Sequence, residues 1–152
     1  MLDASLSLTL RTVGEVMRVA HDPWWVIASA AVALHGVELD DVGDVDVLLS
    51  LGDAARLFAS LGIAADPKAN PAQFRSDLFA TWTVPPLPVE FMAGFRYRTE
   101  NGWQPVRPET RERFDVGGVD VFAPDRQELC ALLHGFGRPK DHVRAALLAA
   151  LA

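Results

Sequence analysis

The stretch at residues 24–50, WWVIASAAVALHGVELDDVGDVDVLLS, decides how the rest of the chain is interpreted. It ends in residues 44–49, DVDVLL, whose β-branched and apolar side chains predict a strand. Alternate side chains of a strand share a face, so Asp44 and Asp46 should lie side by side while the apolar residues face the core. Two such carboxylates repel each other unless a cation lies between them, and oxygen ligands favour a hard ion, Mg2+ above all.

The first half of the same stretch predicts a phosphate-binding turn. Residues 24–27 predict a short buried strand, and residues 28–36, ASAAVALHG, predict a tight turn running into a short helix that Gly36 ends. The small side chains of Ala28 and Ser29 let a phosphate approach the backbone, where the N–H groups at the start of the helix can bind it. The Ser29 hydroxyl offers a further hydrogen bond. A phosphate site and a metal site are therefore expected on neighbouring elements.

In the order of these motifs, the chain resembles the nucleotidyltransferase superfamily that shares its palm with DNA polymerase beta, especially the small bacterial abortive-infection and minimal nucleotidyltransferase types. The likeness rests on the turn at 28–29, the run ALHG at 33–36, the Asp-x-Asp pair, and GRPKD at 137–141. It implies a third acid, Glu90, within LPVEFMAG at 87–94. A glutamate in an otherwise apolar strand is costly to bury unless a cation or hydrogen bonds satisfy it.

The resemblance implies an α+β fold, in which helices flank a nucleotidyltransferase-like mixed β-sheet and a helical segment follows at the C-terminus. We expect one domain over residues 1–152, with a core at about 12–122 and C-terminal helices within 124–152. The implied site has three catalytic acids that also hold the metal, and three nucleotide-binding positions: Asp44, Asp46 and Glu90, then Ala28, Ser29 and Lys140.

The chain departs from the family pattern in ways that bear on catalysis. Ala28 stands where the family usually has glycine, so either a methyl group points near the phosphate path or the turn must avoid a positive φ. The basic residue that many relatives carry ahead of the aspartate pair is missing from residues 39–42, LDDV. Arg138 and Lys140 are phosphate candidates by their position in the family-like segment. The alternative for them is a plain helix junction salt-bridged to Asp141.

Composition bounds the possible partners. The chain has 152 residues, half of them apolar, and a formal net charge of -6. This length suits one domain with a real core. The acidic balance argues against binding a nucleic-acid backbone, which needs clustered Lys and Arg. A nucleoside triphosphate and a small-molecule or protein acceptor are therefore the expected partners.

The single cysteine, Cys130, excludes an internal disulfide and fits a reducing cytoplasm. A buried thiol is the expected state of this side chain. Residues 1–10 lack the basic start of a signal peptide, and no apolar run reaches the ~20 residues of a membrane span. The four histidines show no metal-ligand spacing, and packing or capping is the expected role of His35.

The flanking segments predict further helices, strands and loops. Before and after the central stretch we expect a helix at 12–20, a helix at 54–61 capped by Asp53 and ended by Gly62, and a loop at 65–72. A strand at 74–84 paired with one at 87–91, solvated basic runs at 96–98 and 107–113, and a hairpin of 114–116 with 119–122 should follow. The chain should end in a helix led by Pro124, with Leu129, Leu132, Leu133 and Phe136 on its face, and a last helix at 140–151 with Val143, Leu147 and Leu151 inward.

The sequence is compatible with three functions. The first is an enzyme in which Asp44, Asp46 and Glu90 hold Mg2+ and activate an acceptor hydroxyl for attack on the α-phosphorus of a nucleoside triphosphate. The second is a binding or regulatory module that keeps the palm without catalysis, in the manner of toxin-antitoxin nucleotidyltransferase proteins. The third is an ordinary α+β domain in which the two aspartates only cap a strand.

Overall fold

The structure, a computed structural model, describes residues 2–66 and 72–152, so the loop predicted at 65–72 lies mostly outside the described residues. Its helices are α1 Ala4–Val16, α2 Ala28–Leu34, α3 Leu51–Leu61, α4 Arg126–Phe136 and α5 Pro139–Ala149, and a 3-10 turn, Met17–Val19, follows α1. Its strands are β1 Trp25–Ile27, β2 Val45–Leu49, β3 Phe74–Arg75, β4 Leu78–Trp82, β5 Val89–Ala93, β6 Arg96–Thr99, β7 Gly102–Pro105, β8 Glu112–Val116 and β9 Val119–Ala123.

Four strands form the central sheet in the order β1, β2, β5, β4. β2 and β5 are parallel, with Asp46 opposite Glu90, whereas β1 is antiparallel to β2 and β4 is antiparallel to β5. The chain between β2 and β5 includes α3, which packs against β4 and β5. This mixed sheet with flanking helices is the α+β architecture that the resemblance implied.

The central sheet is buried on both faces. On one face, alternate residues of β2 and β5 enter the main core beneath the helices, and Val45, Val47, Val89 and Phe91 are fully buried there. The opposite face carries a second, smaller apolar cluster, made of Ile27, Ala28, Leu48, Met92, Phe95, Val106 and Phe136. The three acids of interest belong to this second face, because they alternate with the core residues along β2 and β5.

The first helix begins well before the predicted start at residue 12. Asp3 caps it, since its carboxylate accepts the N–H of Leu6 at 2.8 Å. The hydroxyls of Thr9 and Thr12 bind carbonyls four residues earlier, so these residues are accommodated within the helix. Low helix propensity of Ser and Thr obscured the periodic apolar face. That face consists of Leu6, Leu10, Val13 and Met17.

Asp53 does not cap α3 as predicted; Ser50 does, and its Oγ accepts the N–H of Asp53 at 3.1 Å. Asp53 is instead buried and accepts the N–H groups of His21 and Asp22, which ties α3 to the segment before β1. Burial raises the pKa of this carboxyl, but these hydrogen bonds and one from Arg56 outweigh burial and leave the pKa below its ordinary value. α3 ends at Gly62 as predicted.

The single strand predicted at 74–84 is two strands in different sheets. β4 pairs with β5, as predicted, but β3 pairs with β6 in a separate sheet of order β3, β6, β7. The basic run at 96–98 belongs to this second sheet. The chain changes sheets at Asp77, whose N–H donates to Ala93 and whose carboxylate binds Arg96 at 2.9 Å.

The hairpin prediction near the C-terminus is confirmed. β8 and β9 are antiparallel, and Gly117 and Gly118 connect them with positive φ angles of 59° and 86°. α4 begins at Arg126, two residues later than predicted, because Asp125 caps it and Pro124 precedes the cap. Among the described residues, no helix combines the length and apolar character that crossing a membrane requires.

The inward face of the last helix was predicted wrongly at two of three positions. Val143 and Leu147 are exposed, whereas Ala145 and Leu148 are buried. Leu151, the third residue predicted to face inward, is partly buried against the main core. The buried face also contains two charged residues: Asp141, which pairs with Arg138, and Arg144, which pairs with Asp41. An apolar periodicity cannot identify a helix face that buries paired charges, which is why the prediction failed.

Candidate functional site

Three carboxylates converge where the parallel strand pair begins. Asp46 lies opposite Glu90 in the register of β2 and β5, and Asp44 directly precedes β2. Each residue has a carboxylate oxygen within 4.8 Å of the other two. The N–H of Val45 donates to the carbonyl of Pro88 at 2.9 Å, so the two strands are already paired at this level. The structure therefore brings together all three acids named from the sequence.

The electrostatics of the cluster centre on Asp46. Burial raises the pKa of this carboxyl well above its ordinary value, and the charge of Asp44 raises it further. Glu90 adds to the rise through a hydrogen bond and its charge, whereas the guanidinium of Arg138 partly opposes it. Three carboxylates this close together offer the oxygen ligands that suit a divalent metal.

The turn into α2 lies beside these acids, because Ile27 at the end of β1 pairs with Asp46. Ala28 keeps the positive φ that glycine would adopt easily, at 59°. It also lines the cavity in front of the acids, so the methyl group is near the expected phosphate path. Ser29 follows as a buried residue of α2. The alternative in which the turn avoids positive φ is wrong.

A cavity of about 320 Å³ opens in front of Asp46 and Glu90. Its wall is largely aromatic: Phe74 stacks on Phe95 with ring centroids 5.7 Å apart, and Phe136 meets Phe74 edge-on at 5.4 Å. The remaining lining residues are Ile27, Ala28, Arg75, Ser76, Phe79, Met92 and Arg138. A cavity with an apolar wall and a few convergent charged groups is typical of a small-molecule site.

Of the two basic candidates in the GRPKD segment, Arg138 lines this cavity and Lys140 does not. The Arg138 guanidinium lies 4.9 Å from the ring centroid of Phe74 and donates to Asp141 at 2.6 and 3.0 Å. Asp141 is fully buried, so this salt bridge holds the guanidinium in place. Lys140 lies instead beside Glu38 and the exposed Leu147, in a separate hollow.

The aromatic wall was not anticipated from the sequence. Phe74, Phe95 and Phe136 come from β3, the turn before β6, and α4, and each stands in a segment without a recognisable motif. Only the docking of the second sheet and α4 onto the central sheet brings them together. No local sequence pattern reports that docking.

A neighbouring hollow of about 420 Å³ continues along the same face of the sheet. Met92 and Phe95 line both spaces. Along β2 and β5, Leu48 and Met92 stand two residues beyond Asp46 and Glu90, a step of about 6.6 Å for an extended chain. The rim carries charges of both signs, from Asp22, Asp77, Arg96 and Arg107. The two spaces together could hold two small ligands side by side.

Two other features lie away from the acids. A hollow of about 460 Å³ between α1 and β9 is lined by Arg18, Asp22, Arg111 and Asp120, whose charges are mixed.

His35 packs edge-on against Phe114 at 4.9 Å, and its Nε2 lies 2.8 Å from the carbonyl of Pro124. The position of His35 therefore fits the packing role expected from the sequence.

No protein-family model and no curated protein matches the chain. Solved structures do match. TM1012 of Thermotoga maritima, provisionally described as a nucleotidyltransferase, superposes with a TM-score of 0.76 at 19% identity, over 91% of this chain and 88% of that one. The lincosamide antibiotic adenylyltransferase LnuA, in its lincomycin-bound form, gives a TM-score of 0.62 at 10% identity, over 99% of both chains.

A third similar structure is ANT(2'')-Ia in complex with adenylyl-2''-tobramycin. Its TM-score is 0.57 at 12% identity, over 97% of this chain and 88% of that chain. These matches extend over nearly the whole chain, while the identities are too low to carry more than the architecture.

Proposed function

Since the chain has the nucleotidyltransferase fold, we propose that it transfers a nucleoside monophosphate from a nucleoside triphosphate to a hydroxyl acceptor, with Mg2+ as the cofactor. The observation that carries this proposal is the convergence of Asp44, Asp46 and Glu90 at the start of two parallel strands. Three carboxylates in one place are costly unless a cation neutralises them, and this donor set suits a hard divalent ion.

Each residue of the site has a proposed role. Asp44 and Asp46 hold the metal, which when bound supplies charge stabilisation for the entering and leaving oxygens. Glu90 joins them as a ligand or accepts the proton of the acceptor hydroxyl. The acceptor oxygen then forms a bond to the α-phosphorus, and the bond to pyrophosphate breaks. Arg138, fixed by Asp141, offsets negative charge on the phosphates.

The turn at Ala28 and Ser29 is proposed to lie against the triphosphate, where α2 begins. A nucleotide would fill the cavity in front of the acids, and the acceptor would use the neighbouring hollow past Phe95. The size of that hollow suits a small molecule. Two of the structural neighbours also bind small molecules, LnuA lincomycin and ANT(2'')-Ia adenylyl-2''-tobramycin. A protein acceptor remains the alternative, and nucleic acid is disfavoured by the net charge of -6. Action in the cytoplasm is part of this proposal.

One observation favours a second candidate, a degenerate palm that binds or regulates without transfer. Ala28 keeps a strained positive φ and lines the cavity, so its methyl group narrows the path that a glycine would leave open. Such a protein could pair with another chain, as toxin-antitoxin proteins do. Nucleotide binding without any labelled product would support this candidate over the enzyme.

Transfer is tested directly with α-labelled nucleoside triphosphates, Mg2+ and a panel of small hydroxyl compounds. We expect a labelled product with the wild type and at least a hundredfold less with Asp46→Asn, on the order of the loss from removing metal ligation. Asp40→Asn is the matched control, because Asp40 is exposed and not part of the acidic cluster. Full transfer by Asp46→Asn would rule out the mechanism.

The proposed role of Arg138 is tested by comparing Arg138→Gln with Lys140→Gln. Loss of one charge-assisted contact should weaken nucleotide binding about tenfold in Arg138→Gln. Lys140 lies in a separate hollow, so Lys140→Gln should bind as the wild type does. The reverse order would favour the assignment of Lys140 that the sequence suggested.

A further inference from the structure

α4 and α5 form a helix pair whose register is set by packing and by the turn between them. Cys130 on α4 lies next to Ala145 on α5, with its thiol 3.6 Å from the carbonyl oxygen. One turn further along α4, His134 faces His142 on α5. The left-handed Gly137 and the Arg138 to Asp141 salt bridge, at 2.6 Å, fix the connection. The two imidazoles therefore meet because the helices hold them together.

The geometry of the two histidines matches a metal-binding pair. Their Nδ1 atoms are 3.3 Å apart. Two nitrogens that bind one tetrahedral metal at about 2.0–2.1 Å are separated by about 3.3 Å. The rings are not stacked, since their planes are inclined by 48° and their centroids are 5.4 Å apart. Both residues are exposed, so an ion can reach the nitrogens from solvent.

We propose that His134 and His142 form a second metal site, which takes Zn2+ or another transition-metal ion that prefers imidazole. Such ions differ in kind from the hard ion that suits Asp44, Asp46 and Glu90, because nitrogen ligands favour Zn2+, Cu2+ and Ni2+ over Mg2+. The site has two protein ligands, with water in its remaining positions, so the ion is exchangeable. Burial raises the pKa of the Cys130 thiol, which bonds to Ala145 and is not a ligand.

A bound ion would join α4 to α5 across the turn that presents Arg138 to the acidic cavity. The ion would therefore hold the two helices together. The free energy of unfolding would increase with the Zn2+ concentration, because the ion binds the folded state. This inference does not depend on nucleotidyl transfer. The two sites can be separated in experiment, because Asp44→Asn with Asp46→Asn removes carboxylates without touching the histidines.

The test is a calorimetric titration of ZnCl2 into the Asp44→Asn/Asp46→Asn protein at pH 7.5, held constant because metal binding to imidazole depends on pH. We expect one Zn2+ per chain. Adding His134→Ala or His142→Ala should weaken binding at least about tenfold. The control is His21→Ala, because His21 is an exposed histidine before β1, away from this helix pair. It should leave binding unchanged.

A thermal-unfolding series provides a second readout on the same proteins. Zn2+ should raise the midpoint of the parent and of His21→Ala, and Mg2+ should not. The shift should vanish in both His134→Ala and His142→Ala. Equal Zn2+ binding in all the variants, or no binding up to millimolar Zn2+, would overturn the proposal whatever the outcome of the transfer assay.

Discussion

Asp46 links the stability of the metal-free protein to its proposed function. In the absence of a cation, burial and the neighbouring Asp44 and Glu90 raise the pKa of this carboxyl well above the ordinary value of 3.8. The folded state therefore binds more protons than the unfolded state above that pH. Because stability falls with pH wherever the folded state binds more protons, Asp46 contributes a loss of stability as pH rises through this range. Asp53, whose pKa is lowered, contributes in the opposite direction.

Asp46→Asn should make the metal-free protein more stable. The amide carries no charge to bury, so we expect a gain of about 1 kcal/mol or more at pH 7.5, and little gain near pH 4. Urea unfolding in EDTA between pH 4 and 8 measures the stability gain at both pH values, with Asp40→Asn as the control. Mg2+ should stabilise the wild type more than Asp46→Asn. A variant that is less stable than the wild type at pH 7.5 would contradict this account of the cluster.

Ala28 stores backbone strain next to the same cluster, at a φ of 59°. Ala28→Gly should therefore raise the free energy of unfolding, by about 0.5–1 kcal/mol after the entropy of glycine in the unfolded chain is counted. The matched control is Ala55→Gly, in the exposed face of α3, which should lower it by about 1 kcal/mol. Thermal or urea unfolding measures the stability change of both variants against the wild type. Equal losses in both variants would show that Ala28 is not strained.

At the scale of elements, α1 packs closely on the β8 and β9 hairpin at Gly14. A Cβ at this position would lie 2.5 Å from Val119 and 2.8 Å from the backbone oxygen of Asp120. Gly14→Ala should cost about 1–2 kcal/mol, since overpacking outweighs the better helix propensity of alanine. Gly52→Ala is the control in α3, where the nearest atom, 3.5 Å away, is the flexible end of Arg56. It should be neutral or stabilising in denaturant unfolding.

Elements with a local signature were predictable from the sequence, and elements that depend on distant contacts were not. The β2 strand, the Gly117 and Gly118 hairpin and the end of α3 at Gly62 each follow from a few adjacent residues. The switch of sheet at Asp77 does not, because its partner Arg96 lies on β6. The inward face of α5 was missed for a similar reason in part, since Arg144 on its buried face pairs with Asp41, which is distant in the chain.

At the scale of the whole molecule, the candidate site lies where the central sheet meets the second sheet and α4. The sequence identified Asp44 and Asp46 because a two-residue spacing in a strand is a local property. Resemblance to a family was needed for Glu90, which the parallel register places opposite Asp46. The aromatic wall and the neighbouring hollow arise only when the elements pack together. Long-range packing therefore decides what the cavity accepts and brings Glu90 to the cluster, whereas a short-range pattern identifies Asp44 and Asp46.

The three carboxylates are proposed to form a metal-dependent nucleotide site. Calorimetric titration of ATP, CTP, GTP and UTP, each with and without Mg2+, tests it on the wild type and on Asp44→Asn/Asp46→Asn. We predict that at least one nucleotide binds the wild type only with Mg2+, and that the double variant, which is expected to be well folded, loses this binding. Binding of equal strength without Mg2+ or in the double variant, or no binding of any nucleotide, would contradict it.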